Sequence, residues 1–109
     1  MKFSRMLLLA LGAGLALPAH ATSVSVSGRV METQGHETPA CRMVRLRNSA
    51  GGSDIWFRIP DTGKDDGILA VTLTALTSGL NVVIAYDPAL TTGCGTEPKI
   101  QYISLQAAG

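Results

Sequence analysis

Cysteine occurs at only two positions of this 109-residue sequence, Cys41 and Cys94. The N-terminal segment has the make-up of a secretory leader, so we expect the chain to fold in an oxidising compartment, where two cysteines pair by default. A disulfide closing so long a loop contributes about 4 kcal/mol in the chain-entropy model. Free thiols or a metal pair are the alternative, but the sequence has no C-x-x-C spacing and no histidine cluster. The fold is therefore expected to bring Cys41 and Cys94 together.

The leader is recognised by three zones. Two basic residues precede an apolar run at residues 6–17, and Ala19 and Ala21 supply the small residues that signal peptidase requires. The apolar run is shorter than the roughly 20 residues that a membrane-spanning helix needs. We therefore predict a signal peptide at residues 1–21 and a single exported domain, periplasmic or secreted, at residues 22–109. A buried N-terminal helix is the alternative.

The charge balance argues against a nucleic-acid partner. Two of the nine basic residues lie in the leader, so residues 22–109 carry seven basic and eight acidic residues, a formal net charge of −1. Binding to a polyanion needs a clear positive excess. No second apolar stretch is long enough to span a membrane, and no motif indicates a cofactor.

Period-two alternation of apolar residues predicts five short strands. The first three are expected to bury, in order, Val24, Val26 and Val30; Val44 and Leu46; and Ile55, Phe57 and Ile59. The Gly- and Asn-rich residues 48–54 suit a hairpin turn, and residues 33–39 and 87–97 are predicted loops. The fourth strand, residues 81–86, is apolar on both faces and is expected to be central. The fifth, residues 99–105, breaks strict alternation, which predicts a β-bulge.

One helix is predicted between the third and fourth strands. Four leucines recur at steps of four, three and four, which indicates an apolar stripe facing the sheet. They are Leu69, Leu73, Leu76 and Leu80. Asp65 and Asp66 precede the helix as caps of its free amides, and Gly79 follows it as a left-handed C-cap.

The order of elements is strand, strand, strand, helix, strand, strand. It matches the OB-fold, a small five-stranded Greek-key barrel. The predicted fold class is therefore mainly β with one helix after the third strand, and a two-layer α+β sandwich is the alternative.

The second half of the chain carries a resemblance. Residues 75–79 (ALTSG), the strand and turn at 82–88 (VVIAYDP), the cysteine loop and the last strand resemble the binding (B) subunits of pentameric bacterial toxins, of the subtilase-cytotoxin and pertussis-like group. They also resemble a family of small uncharacterised exported proteins. The likeness covers residues 68–105. It implies an OB-fold subunit that assembles as a ring and binds host glycans. The first half of this chain is shorter, and no sugar-binding residue is carried over.

Catalytic motifs are missing from the sequence. His36 is the only histidine of residues 22–109, and the H-E-x-x-H zinc motif is not met because position 40 is alanine. The adjacent Asp65 and Asp66 are better explained as helix caps than as acid–base or calcium groups. We therefore predict a non-enzymatic protein without cofactor or metal, and a hydrolase is the disfavoured class.

The outward side of the second and third strands is the candidate site. In a hairpin, five side chains would share one face: Met43, Arg45, Arg47, Trp56 and Arg58. Guanidinium groups bind carboxylates bidentately, and an indole stacks on the apolar face of a sugar ring. The predicted ligand-binding residues are Arg45, Arg47, Trp56 and Arg58, and the predicted ligand is an acidic sugar. A subunit interface or a solvated face is the alternative.

These observations predict a non-enzymatic exported binding module that recognises a glycan and forms a ring-shaped homo-oligomer. The alternative function is a periplasmic structural or inhibitory protein whose ligand is another protein.

Overall fold

The computed structural model describes residues 23–64 and 66–108. The predicted signal peptide and the cap residue Asp65 lie outside the described residues. The elements are β1 (Val24–Gln34), β2 (Met43–Asn48), β3 (Ile55–Arg58), α1 (Gly67–Ser78), β4 (Asn81–Thr91) and β5 (Pro98–Leu105), with a short 3-10 helix at Pro39–Cys41. The predicted order of elements is confirmed.

The five strands close into a barrel in the order β1-β2-β3-β5-β4. All pairings are antiparallel except that of β3 with β5, which run parallel and meet at Arg58 and Lys99. This is the small OB-fold-like barrel that the order of elements predicts. The two-layer sandwich is wrong, because β1 and β4, the two ends of the strand order, pair with each other and close the sheet. In the described residues, no helix is long and apolar enough to cross a membrane.

The barrel interior is filled by the apolar residues that the alternation assigns to the inner face. The largest side chains that are fully buried are Phe57, Leu46, Ile59, Ile84 and Ile100. Phe57 meets Tyr86 edge to face, with ring centroids 4.9 Å apart. Burying a side chain of this size contributes about 1.5–3 kcal/mol, so these residues form the main source of stability.

β1 and β4 are each 11 residues long, which is longer than the sequence predicts. The first residues of both predicted loops, 33–39 and 87–97, continue the preceding strand. β4 pairs with both β1 and β5, but every strand of the closed barrel has two neighbours, so the prediction of a central strand does not distinguish β4. The predicted bulge in β5 is confirmed, since Gln101 is an extra residue between the partners of Ala85 and Tyr86.

A second bulge, in β1, was not predicted from the sequence. Val30 pairs with Leu46 but Glu32 pairs with Arg45, so Met31 is an extra residue on β1. A bulge reverses the faces of the residues that follow it. Glu32 therefore faces outward, opposite Arg45, instead of into the core.

At Gly28 the backbones of β1 and β2 approach each other closely. A Cβ atom at this position would lie 2.0 Å from the carbonyl oxygen of Arg47, which no side chain can tolerate. Glycine within a strand is typical of such a close approach between backbones.

The predicted helix exists, but its predicted phase is wrong at Leu73 and Leu76. Leu73 and Leu76 are exposed, at 46% and 38% of their full accessible area, whereas Thr72 and Ala75 are completely buried. The face that contacts the barrel is formed by Ile68, Leu69, Val71, Thr72 and Ala75, so Leu69 of the predicted leucine stripe does pack against the core. Two small residues at its centre let the helix backbone lie close to the barrel. The Thr72 hydroxyl is satisfied because it donates to the Ile68 carbonyl at 2.8 Å.

The two ends of α1 differ in how well they match the sequence analysis. The C-terminal cap is confirmed: Gly79 has φ 72°, and its N–H donates to the Ala75 carbonyl. At the N-terminus the carboxylate of Asp66 makes no capping hydrogen bond. Asp66 is the N-cap residue as predicted, but its carboxylate accepts a 3.4 Å bond from Arg42 instead of capping the helix amides.

Candidate functional site

The outer face of β1, β2 and β3 carries two rows of side chains that lie directly opposite one another. The strand register places Glu32, Arg45 and Trp56 in one row, and Gln34, Met43 and Arg58 in the next. These six residues are called the outer grid below. The predicted hairpin is confirmed, and the structure brings Arg45, Trp56 and Arg58 together on one face. Residues directly opposite on one sheet face are close enough to interact, so the outer grid is a continuous surface.

A chain of polar contacts runs across this face. Gln34 bonds Glu32 at 2.9 Å, and Arg45 donates from Nε to Glu32 at 3.2 Å and from Nη1 to Asp54 at 2.7 Å. Arg47 Nε lies 3.8 Å from the other oxygen of Asp54. The contacts fix Arg45 between two carboxylates. We call the five residues Gln34, Glu32, Arg45, Asp54 and Arg47 the polar chain.

The polar chain changes the acid–base properties of its members. Hydrogen bonds from Gln34 and then Arg45 lower the pKa of Glu32 below its ordinary value of 4.5. The hydrogen bond to Asp54, followed by that to Glu32, raises the pKa of Arg45. Both carboxylate and guanidinium therefore stay charged at neutral pH.

Trp56 is half-buried on the outer grid. The guanidinium carbon of Arg45 lies 5.7 Å from the ring centroid, within the range of a cation–π contact. Among the described residues, none accepts a hydrogen bond from the indole N–H, which is not fully buried. A partly exposed indole ring and its N–H donor are thus available to an incoming molecule.

Arg58 occupies the opposite corner of the outer grid and is only 12% exposed. Its Nε donates to Glu97 at 3.0 Å, Nη2 lies 2.9 Å from the same oxygen, and Nη1 donates to the Cys41 carbonyl. All three nitrogens are engaged. Arg58 therefore has little capacity left for a ligand, and its position suits a supporting role.

The loops at residues 35–42 (L12) and 92–97 (L45) flank the outer grid and are bonded to each other. The predicted disulfide between Cys41 and Cys94 is confirmed. Thr92 Oγ1 also donates to the Ala40 carbonyl at 2.7 Å, and Arg58 bridges the two loops from β3. In OB-folds the face of strands 2 and 3, together with L12 and L45, is where oligonucleotides and oligosaccharides bind. Here that region is held rigid by covalent and ionic bonds.

The contact between Arg58 and Glu97 predicts a pH effect. Hydrogen bonds from its own backbone N–H and from Arg58 hold the pKa of Glu97 below its ordinary value of 4.5. A lowered folded-state pKa stabilises the protein above the unfolded pKa, and this stabilisation is lost as the pH falls through the folded value. We expect Glu97→Gln to lower the melting temperature at about pH 7, and the difference from wild type to shrink below about pH 4.

The matched control is Glu37→Gln, which removes an exposed carboxylate from L12. Its melting temperature is expected to follow that of the wild type across the same pH range. A constant difference between Glu97→Gln and wild type at all pH values would contradict the proposed role of the Glu97 charge.

A scan against protein-family models and a search of curated proteins both find no match to this chain. The chemistry of the site must therefore be judged from its own residues. His36 is exposed and lies 3.1 Å from Gln34 Oε1. In residues 23–64 and 66–108, no three His, Cys, Asp or Glu side chains are gathered in a way that could hold a metal ion.

Three carboxylates of the site were missed by the sequence analysis: Glu32, Asp54 and Glu97. Each pairs with an arginine that the sequence analysis had assigned to ligand binding. Of the predicted ligand-binding arginines, Arg47 is the most open, at 62% of its side-chain area, and within residues 23–64 and 66–108 its only ion-pair contact is the 3.8 Å one to Asp54. A ligand would meet Trp56, Arg45 and Arg47 before it meets Arg58.

Proposed function

We propose that this chain is a non-enzymatic exported binding module, and that it holds a glycan on the outer grid with Trp56 as the stacking platform. The observation that carries the proposal is the half-buried Trp56 in the outward row of an OB-fold hairpin, braced by Arg45 at 5.7 Å. An indole offers a flat apolar surface with one polar donor, which matches a sugar ring with its apolar face and its hydroxyls.

Export is supported by two features. Residues 1–21 have the zones of a secretory leader, and an intramolecular disulfide is typical of proteins that fold in the periplasm or outside the cell. The resemblance to toxin B subunits agrees with an exported glycan-binding subunit, and ring assembly is part of the same proposal.

A glycan is favoured over the other ligands that OB-folds take. Residues 22–109 carry a formal charge of −1, so single-stranded nucleic acid would meet no positive excess. Arg45 and Arg58 on this face are already paired with carboxylates, which further reduces the electrostatic attraction of the face for a polyanion. The remaining polar groups and the indole suit an uncharged or weakly charged molecule with many hydroxyls.

The direct test removes the platform. Trp56→Ala is expected to weaken glycan binding by about 5- to 150-fold, if the sugar stacks on the indole as strongly as a nucleic-acid base does, at about 1–3 kcal/mol. Its melting temperature should fall by only a few degrees, because the ring lies outside the barrel core. Trp56→Phe should recover part of the affinity. Binding is measured on a glycan array and then by calorimetry on the best hits, and folding by circular dichroism.

Tyr102→Ala is the matched control, because Tyr102 is an aromatic residue on β5 that is 57% exposed and lies outside the outer grid. Its binding should equal that of the wild type. If Trp56→Ala instead unfolds the domain, the indole is a core residue and the proposed surface does not exist. If Trp56→Ala folds and binds as the wild type does, the outer grid is not the ligand site.

A second candidate function, binding to another protein or to copies of the same chain, is favoured by the outer face of α1. The 12 residues of this helix include no charged side chain, and both Leu73 and Leu76 are exposed on it. Exposed apolar patches of this kind mark contact surfaces. Light scattering on the wild type and on Leu73→Asp tests the self-assembly of the chain through α1. An oligomer held by this helix should dissociate in the variant.

A further inference from the structure

If the proposed function holds, the charges of the polar chain determine whether the outer grid prefers a neutral or an acidic glycan. Its two arginines, Arg45 and Arg47, face two carboxylates, Glu32 and Asp54, at distances between 2.7 and 3.8 Å. The charges within the polar chain therefore balance, two against two, and Arg29, opposite Arg47 on β1, is a further cation at its edge. The charges also balance at the other corner of the outer grid, where Arg58 is paired with Glu97.

The pairing leaves hydrogen-bonding capacity unused. A guanidinium has five N–H donors, and Arg45 uses only those on Nε and Nη1 in its two ion pairs. A carboxylate has about four acceptor positions, and Glu32 receives one bond at each oxygen. Both side chains remain partly exposed. The face can thus donate and accept hydrogen bonds at neighbouring positions.

We infer that the outer grid selects neutral glycans and discriminates against acidic ones. A sugar hydroxyl both donates and accepts, so it can bond an arginine and a carboxylate of the polar chain at once. A ligand carboxylate only accepts, and it would approach Glu32 and Asp54 with a charge of the same sign. This reverses the acidic-sugar expectation that follows from the arginines alone, because that expectation omitted their partners.

The experiment uses a glycan array printed with matched pairs, each neutral oligosaccharide beside the same oligosaccharide carrying a terminal sialic acid. The wild type is expected to bind the neutral member about tenfold more tightly, equivalent to 1.4 kcal/mol. Its affinity for the neutral member should change by less than about twofold between low and high salt, because no net charge attraction is screened.

The decisive variant is Glu32→Gln combined with Asp54→Asn. It keeps the shapes of both side chains and frees the charges of Arg45 and Arg47. Its preference should shift toward the sialylated member, and that binding should weaken strongly as salt is raised. Asp61→Asn, at an exposed carboxylate in the connection between β3 and α1, is the control and should keep the wild-type preference.

The outcomes separate this inference from the proposed function. Tighter wild-type binding to the sialylated members, or an unchanged preference in the double variant, overturns the neutral-glycan inference and leaves Trp56-dependent glycan binding in place. Binding to no member of any pair, or binding that is unchanged in Trp56→Ala, overturns both.

Discussion

Replacing Cys41 and Cys94 together by alanine is expected to lower the free energy of unfolding by about 2–5 kcal/mol. The two cysteines are separated by 53 positions, so the bond removes much conformational freedom from the unfolded chain. A domain of this size has a total stability on the order of 5 kcal/mol. The variant should therefore be mostly unfolded, or melt at least about 10 °C below the wild type.

Calorimetry or thermal circular dichroism measures this loss, and the wild type under reducing conditions should behave like the double variant. Thr92→Val is a useful control, because it removes the hydrogen bond to the Ala40 carbonyl but keeps the disulfide. It should cost only about 1 kcal/mol. A double cysteine variant as stable as the wild type would mean that the barrel core and the Arg58–Glu97 contact hold L12 and L45 without the covalent bond.

Placing an aspartate at position 75 is expected to prevent folding. Ala75 is completely buried between α1 and the barrel, so the new carboxylate would have neither water nor a partner. An uncompensated buried charge costs about 3–5 kcal/mol, which is most of the stability of the domain. Soluble expression and the circular dichroism spectrum report the loss directly.

Leu73→Asp, which places an aspartate on the opposite face of α1, is the matched control. Leu73 is 46% exposed, so Leu73→Asp should cost about 1 kcal/mol or less. The contrast between the two variants tests the phase of α1. Collapse of Leu73→Asp with a folded Ala75→Asp would place the leucine stripe against the barrel, as the sequence analysis expected and the structure contradicts.

The strands were predictable because alternation reports directly on burial. Val44 and Leu46 are buried and Arg45 faces outward, as a period of two requires. The helix carried two competing stripes of the same period. The leucines are the more hydrophobic set, but the barrel accepts Thr72 and Ala75, since a close approach of the helix backbone favours small side chains. Periodicity alone does not distinguish the two.

The sequence predicts which arginines and which tryptophan lie on the outer face, but it does not predict the carboxylates that pair with those arginines. Continuing the alternation from Val30 puts Glu32 on the inner face, where a carboxylate without a partner is costly. That conflict is the one signal that could have revealed the bulge at Met31. Asp54 and Glu97 lie in a turn and a loop, where no periodicity assigns a direction.

Barrel closure depends on β5, the last of the five strands to be synthesised. β5 pairs with β4 on one side and β3 on the other, so β3 and β4 each lack a neighbour until residues 98–105 are in place. Pairings between segments distant in sequence form slowly. The closed barrel can therefore form only once residues 98–105 are available to pair with both β3 and β4. Cys94 also precedes β5 by only a few residues, so disulfide formation and barrel closure become possible at nearly the same moment.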